Sequence, residues 1–122
     1  MAQRRPPVDR GPLARGLTVR GFVYYAQVPS GRKPVVVVSS DDVSGRLEPV
    51  VARITSRRRP RALPTHVRLA PGEAGLARES FVLCHDLVTV TPDVLGPRPV
   101  GLLGAARMRE VDAALKRALD LE

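Results

Sequence analysis

Cysteine, aromatic residues and long apolar stretches are scarce in this sequence of 122 residues. The single cysteine excludes an intrachain disulfide framework and a cysteine-rich zinc site, and it favours a reducing compartment. No apolar run reaches the roughly 18 residues of a transmembrane helix, and the basic, proline-rich start lacks the apolar segment of a secretory signal. These absences predict a cytoplasmic protein of one domain with no membrane partner.

Motifs that mark nucleotide, zinc and serine-hydrolase sites are missing as well. The patterns GxGxxG, GxxxxGK[ST], HExxH and GxSxG do not occur, which argues against each of those sites. The two histidines, His66 and His85, are isolated in the sequence. His85 follows Cys84, but neighbours on a strand point to opposite faces and cannot form a nucleophile–base pair. We therefore expect no metal and no cofactor.

Positive charge is what the sequence has in excess. The formal net charge is +8, and 18 of the 20 basic residues are arginine. The charge is concentrated in residues 1–20, with a net charge of +4, and in residues 53–61, with a net charge of +5. Arginine matches phosphate geometry, so such patches attract polyanions. The alternative is a solvated loop that only keeps the protein soluble.

Apolar patterning predicts a mainly β (α+β) fold, a small antiparallel barrel that ends in one helix. Strands are expected over residues 19–28, 33–40, 47–56, 63–69, 80–90 and 98–103. Residues 41–46 are expected to form a loop, with a short helical turn after Thr91. The C-terminal segment from Ala105 to Leu121 has no glycine or proline and carries a helical apolar stripe of Met108, Val111, Leu115 and Leu119.

Two further expectations concern the chain ends and the assembly. Residues 1–18, punctuated by proline and glycine, predict a flexible basic extension before a domain over residues 19–122. The apolar run Val35 to Val38 and the stripe of the last helix are candidates for burial in a homodimer, unless both fill the core of one chain.

Once those sites are excluded, the candidate functional groups that remain are basic and hydroxyl side chains beside the apolar strands. Arg32 and Lys33 stand at the start of one strand, and Thr55 and Ser56 end the next. If these strands are neighbours, the start of one meets the end of the other, and a cation and a hydroxyl share one anionic site. Such a pair can stabilise the charge on a phosphorane without a metal ion.

Six segments in order around these residues carry a resemblance. They are Arg20-Gly21-Phe22-Val23-Tyr24-Tyr25, Lys33-Pro34-Val35-Val36-Val37-Val38-Ser39, Ile54-Thr55-Ser56, Leu63-Pro64-Thr65-His66-Val67, Ser80-Phe81-Val82-Leu83-Cys84 and Val111-Asp112-Ala113-Ala114-Leu115. Each segment alone is common, but the ordered set over residues 20–121 resembles the MazF/PemK toxins of bacterial toxin–antitoxin pairs.

The resemblance implies an SH3-like barrel that works as a homodimer and as a metal-independent endoribonuclease. Such an enzyme cuts single-stranded RNA, usually mRNA, at a short sequence, with the RNA's own 2′-hydroxyl as the nucleophile. The resemblance also implies that Thr55 and Lys33 carry the chemistry, Lys33 standing where the family has arginine, with Arg32 as the alternative cation. The residues expected to bind RNA are Arg53, Ser56, Arg57, Arg58 and Arg59.

The resemblance further implies a cognate antitoxin. We expect its acidic tail to compete with RNA for the groove bounded by Arg32, Lys33, Thr55 and the basic loop. At Asp86-Leu87-Val88 the sequence departs from the family, which often has glutamine, an apolar residue and arginine there. The alternatives are a CcdB-like topoisomerase poison, which the lack of tryptophan disfavours, and a non-catalytic nucleic-acid-binding barrel.

Overall fold

Six antiparallel strands and a C-terminal helix follow one another in the predicted order. The computed structural model describes residues 18–57 and 63–122. Its strands and α-helices are β1 (Phe22–Val28), β2 (Gly31–Val37), α1 (Asp41–Arg46), β3 (Val50–Thr55), β4 (His66–Leu69), β5 (Ser80–Thr89), β6 (Gly101–Leu102) and α2 (Ala105–Leu119). Short 3₁₀ turns lie at Glu73–Gly75 and Pro92–Val94. The mainly β fold with a terminal helix is thus confirmed. Residues 1–17 of the predicted N-terminal extension lie outside the described residues.

The strands form one curled sheet in the order β4-β5-β3-β2-β1-β6, and each neighbouring pair is antiparallel. β1 and β2 form a hairpin around Pro29 and Ser30, and Gly31 takes a φ of 118° at the turn, a conformation that favours glycine. β3 lies between β2 and β5 at the centre of the sheet, so the end of β3 faces the start of β2.

The sheet buries apolar side chains on both faces. On one face, which we call the helix face, α2 packs against β5 and β4, and its Val111 and Ala114 join a core cluster that includes Val36 and Ala52. The opposite face, the far face, has its own cluster. The members of that cluster are Tyr24, Ala26, Val28, Val35, Val37, Val51, Val90 and Leu95. Burial on both sides explains why β2 is a continuous apolar run and does not alternate.

A bulge between β3 and β5 bends the sheet beside its centre. Arg53 is opposite Leu83, whereas its neighbour Ala52 is opposite Leu87. Three residues of β5, numbers 84–86, therefore lie between two successive partners on β3. Such bulges twist a strand and re-aim its side chains, and this one moves His85 and Asp86 out of regular pairing.

The prediction of a loop over residues 41–46 is wrong, because this segment is the short helix α1. The Ser40 hydroxyl caps it by accepting a hydrogen bond from the Val43 amide at 3.2 Å. Asp41 and Asp42 occupy the first turn, where carboxylates favour the positive end of a helix. A serine cap followed by two acids is a helix-start signal, and the glycine within the segment obscured it.

The surfaces proposed for a dimer are mostly buried within one chain. Val35, Val36 and Val37 of β2 and Val111 of α2 are fully buried within the single chain. The suggestion that they are shared with a second chain is therefore wrong for these residues. Leu119 at the end of the stripe is 51% exposed, so the apolar stripe ends before the helix does.

An ion pair fastens α2 to the loop before β5. Arg107 donates from Nε and Nη2 to the two carboxylate oxygens of Glu73 at 2.7 and 2.8 Å. The same carboxylate accepts from the amide of Ala70 at 2.9 Å. These contacts, above all those from Arg107, lower the pKa of Glu73. The charged form of Glu73 therefore stabilises the folded state.

We predict that Glu73→Gln lowers the free energy of unfolding by about 1–2 kcal/mol at neutral pH, since it removes a charge-assisted pair. Because the pKa of Glu73 is lowered in the folded state, this contribution is present above its unfolded value and is lost as pH falls through the folded one. Urea unfolding at several pH values measures it, and the gap between wild type and variant should close in acid. Glu110→Gln is the matched control, because Glu110 pairs with Arg107 on the exposed surface of the helix and should matter less. A constant gap across pH would contradict the prediction.

Candidate active site

The pairing of β2 with β3 brings the predicted cation and hydroxyl together. Val35 is opposite Arg53 in this antiparallel pair. Extending the register by two residues places Lys33 opposite Thr55, and strand alternation puts both on the far face. Directly opposite residues on one face have Cβ atoms about 5 Å apart. The start of one strand therefore meets the end of the next.

The hydroxyl of Thr55 is held in place by the backbone that follows it. Its Oγ1 accepts a hydrogen bond from the amide of Arg57 at 3.1 Å. Accepting this bond fixes the oxygen and leaves its hydrogen available for another acceptor. Thr55 is half-buried while Lys33 is exposed, so a bound anion can reach both groups from solvent.

Arg32 does not join this pair. It neighbours Lys33 on β2 and therefore points to the helix face, where its guanidinium carbon lies 5.7 Å from the centroid of the Tyr25 ring. A cation over an aromatic face is attracted to the ring. Arg32 is thus tied to the outer part of the β1–β2 hairpin, on the side of the sheet opposite Thr55.

Arg53 is the best-anchored of the residues predicted to bind RNA. Its Nη1 lies 3.5 Å from the carboxylate of Asp86, and its Nη2 donates to the Ser30 hydroxyl at 3.3 Å. Asp86 occupies one of the positions at which the sequence departs from the family pattern, and here it is the ion-pair partner of this arginine. Ser56 and Arg57 are exposed beside Thr55. Arg58 and Arg59 lie outside the described residues.

His66 and His85 are isolated in the sequence, but the structure brings them together. The interpretation of each as an isolated histidine is therefore wrong for the folded protein. The ring centroids of His66 and His85 are 5.4 Å apart, with the planes tilted by 37°. His66 lies opposite Leu83 on the far face. His85 lies two residues after Leu83 on β5, within the bulge. Alternation along β5 already puts residues 83 and 85 on one face, but the identity of the neighbouring strand is not visible in the sequence.

Cys84 is separated from this chemistry, as the alternation of strand residues predicts. It is fully buried in the core of the helix face. Burial raises the pKa of its thiol to about 11, so a thiolate is scarce at neutral pH. His85, the next residue, is exposed and packs against His66 on the far face.

Residues 18–57 and 63–122, the described ranges, hold neither a metal-binding cluster nor a membrane-spanning helix. In these ranges no three or more histidine, cysteine or acidic residues are grouped so that they could hold a metal ion. Nor does any helix there have the length and apolar character needed to cross a membrane.

Comparison with known proteins identifies relatives over most of the chain. Residues 20–119 match the family described as PemK-like, MazF-like toxin of type II toxin–antitoxin system. The endoribonuclease MazF6 of Mycobacterium tuberculosis is 39% identical over 111 residues, covering 84% of this chain and 96% of the relative. The endoribonuclease EndoA of Bacillus subtilis is 32% identical over 111 residues, covering 84% of this chain and 94% of the relative.

Solved structures agree with the sequence relatives. A mycobacterial endoribonuclease in complex with its cognate antitoxin superposes with a TM-score of 0.76 at 30% identity, covering 86% of this chain and 97% of that one. A MazE–MazF complex from Deinococcus radiodurans has the same fold, with a TM-score of 0.70 at 20% identity over 87% of this chain and 98% of that one. On the match over residues 20–119 and these relatives, the chain belongs to the PemK-like, MazF-like toxin family of type II toxin–antitoxin systems.

Proposed function

We propose that this endoribonuclease toxin cuts single-stranded RNA at a short sequence, by attack of the ribose 2′-hydroxyl and without a metal ion. The observation that carries the proposal is the pairing of β2 with β3, whose register, extended by two residues beyond Val35 and Arg53, sets Lys33 opposite Thr55. The curated relatives are named endoribonucleases, which favours this function over a topoisomerase poison or a non-catalytic binding barrel.

The two side chains have complementary tasks in this reaction. The phosphorane that forms when the 2′-oxygen attacks carries extra negative charge on its non-bridging oxygens. The Lys33 ammonium neutralises that charge and can give a proton to the departing 5′-oxygen, while the Thr55 hydroxyl donates a hydrogen bond to a non-bridging oxygen. Because the nucleophile belongs to the RNA, the protein needs only to hold the attacking and leaving oxygens in line.

The lysine at position 33 changes how phosphate is held. An arginine at this position, as in the family, would grip two phosphate oxygens at once, whereas an ammonium group acts as a point charge. Lys33 is exposed at the start of β2, so the longer fork of arginine has room there. An arginine there would therefore hold the phosphate more tightly but would be a poorer proton donor to the departing 5′-oxygen.

Partners follow from the same surface. The mycobacterial relative of known structure is bound to its cognate antitoxin, and we infer that an acidic antitoxin segment covers the site of this chain as well. Arg57 and Ser56 are exposed next to Thr55 and would contact either RNA or such a segment. The toxin is proposed to act in the cytoplasm, where mRNA is translated, and as a homodimer through surfaces other than the buried β2 run.

Purified toxin incubated with a long RNA in EDTA is expected to yield defined fragments that end in a 2′,3′-cyclic phosphate and begin with a 5′-hydroxyl. The reason is that the 2′-oxygen becomes bonded to phosphorus, and the site supplies a cation and a hydroxyl for the charge. End-labelling with and without phosphatase treatment identifies the termini. Loss of cutting in EDTA and its return with Mg²⁺ would refute the mechanism.

Substitutions at the paired positions should separate the two tasks. Thr55→Val removes the hydroxyl at nearly constant volume and should slow single-turnover cleavage about 10²-fold. Lys33→Arg should lower KM for RNA, because a bidentate contact replaces a point charge, and should lower kcat, because a guanidinium hardly gives up a proton to the 5′-oxygen. Thr89→Val and Lys116→Ala are the matched controls, since both residues are exposed away from the site. A folded Thr55→Val protein with the wild-type rate would remove Thr55 from the site.

A triple substitution tests the basic loop against both partners. Changing Arg57, Arg58 and Arg59 to alanine should weaken the binding of both RNA and antitoxin. For RNA, the slope of log K against log salt should become shallower by about 2, because each of three lost phosphate contacts accounts for roughly 0.7. Changing three exposed arginines elsewhere, Arg78, Arg109 and Arg117, alters the net charge equally and serves as the control. If the two triple variants lose affinity alike, the loop acts only through net charge.

A further inference from the structure

The contact between His66 and His85 is the part of the far face that the mechanism above leaves unused. Their ring centroids are 5.4 Å apart, a packed contact between imidazoles of different strands. The register of β4 and β5 sets His66 opposite Leu83, and His85 follows two residues later on the same face, beside the bulge against β3. His85 is exposed, so one edge of the pair faces solvent.

The two histidines share the far face with Lys33 and Thr55, and His66 is the nearer of them to Thr55. His66 lies opposite Leu83, and Leu83 lies opposite Arg53, which is two residues from Thr55 on β3. Neighbouring strands are about 4.8 Å apart and alternate residues of one strand about 7 Å apart. His85 lies four residues along β5 from Phe81, the partner of Thr55, so an RNA backbone bound between His85 and the Lys33–Thr55 pair spans about 13 Å along the strands.

Attack by the 2′-hydroxyl needs a group that takes its proton. Lys33 is a cation, and the Thr55 oxygen already accepts a bond from Arg57. The carboxylate of Asp86 is engaged by Arg53. An imidazole is the side chain best suited to accept a proton near neutral pH, and the described part of this surface carries two.

We propose that His85 is the general base of the cleavage and that His66 is a positioning residue that holds its ring. This rests on the proposed function. The 2′-hydroxyl proton moves to an imidazole nitrogen of His85, and the 2′-oxygen bonds to phosphorus. The P–O5′ bond breaks, and the 5′-oxygen takes a proton from the Lys33 ammonium. His85 ends protonated and Lys33 neutral, and exchange with solvent resets both.

The charged and titratable groups around His85 come from four strands and the residue before β5. They are Lys33 of β2, Arg53 of β3, His66 and Arg68 of β4, Asp86 of β5, and Glu79 just before β5. Arg53 is paired with Asp86, and Arg68 is paired with Glu79. Substitutions of His85 that leave these pairs intact therefore isolate the titration of the imidazole itself.

The first test is the pH profile of single-turnover cleavage by wild type and His85→Gln. Wild type should lose rate tenfold for each pH unit on the acid side as the base becomes protonated. His85→Gln should be slower by about 10²-fold at neutral pH and should lack this acid limb. Its affinity for an RNA with a 2′-deoxyribose at the cut should stay within about twofold of wild type. A variant that keeps both the rate and the limb would overturn the proposal.

A second test distinguishes the base from the acid. In an RNA whose scissile 5′-oxygen is replaced by sulfur, the leaving group needs no proton, so the defect of Lys33→Ala should largely disappear. The defect of His85→Gln should persist, because the 2′-hydroxyl must still be deprotonated. Rescue of His85→Gln by this substrate would show that His85 is not the base.

His66 is tested by keeping or removing a ring. His66→Phe retains a planar partner for His85 and should cleave at close to the wild-type rate, whereas His66→Ala should be about tenfold slower with the acid limb still present. Equal loss in both variants would contradict the positioning role. If wild type itself leaves no 2′,3′-cyclic ends, the proposed function fails first. If wild type leaves them and His85→Gln matches its rate and profile, only the inference about His85 fails.

Discussion

The register between β2 and β3 is the constraint on which the site depends. On β3, Ala52 and Ile54 are buried on the helix face while Arg53 and Thr55 lie on the far face, so a slip of β3 by one residue would bury these polar side chains. The same slip would turn Lys33 and Thr55 to different faces. Core burial, and not any contact with substrate, therefore fixes the distance between the cation and the hydroxyl.

The alternating and continuous patterns of apolar residues in the sequence were sufficient to predict most of the strands and the C-terminal helix. The apolar run after Lys33 and the strand that ends at Thr55 could be read directly, and antiparallel pairing of consecutive strands follows from their short connection. The helix after Ala105 was predictable because its apolar spacing is helical and the segment has no glycine or proline. Local pattern was enough wherever the partner was the next element along the chain.

What escaped prediction depended on pairing between distant segments. His66 and His85 are well separated in the sequence and meet because β4 pairs with β5 in a register that sets His66 opposite Leu83, and local composition does not reveal that register. The Arg53–Asp86 pair has the same origin. Helix α1 was missed for a different reason, since its glycine hid a short helix that the capping serine and two acids support.

The position of Arg32 shows that two adjacent basic residues on a strand are not spare copies of each other. Arg32 packs on Tyr25 on the helix face, and Lys33 lies beside Thr55 on the far face. Rotation about side-chain bonds cannot move either residue to the other face of the sheet. Selection therefore acts on each position separately. If Lys33 carries the proposed chemistry, loss of its charge would inactivate the toxin despite the arginine beside it, whereas a change at Arg32 would alter the hairpin surface and leave Lys33 and Thr55 in place.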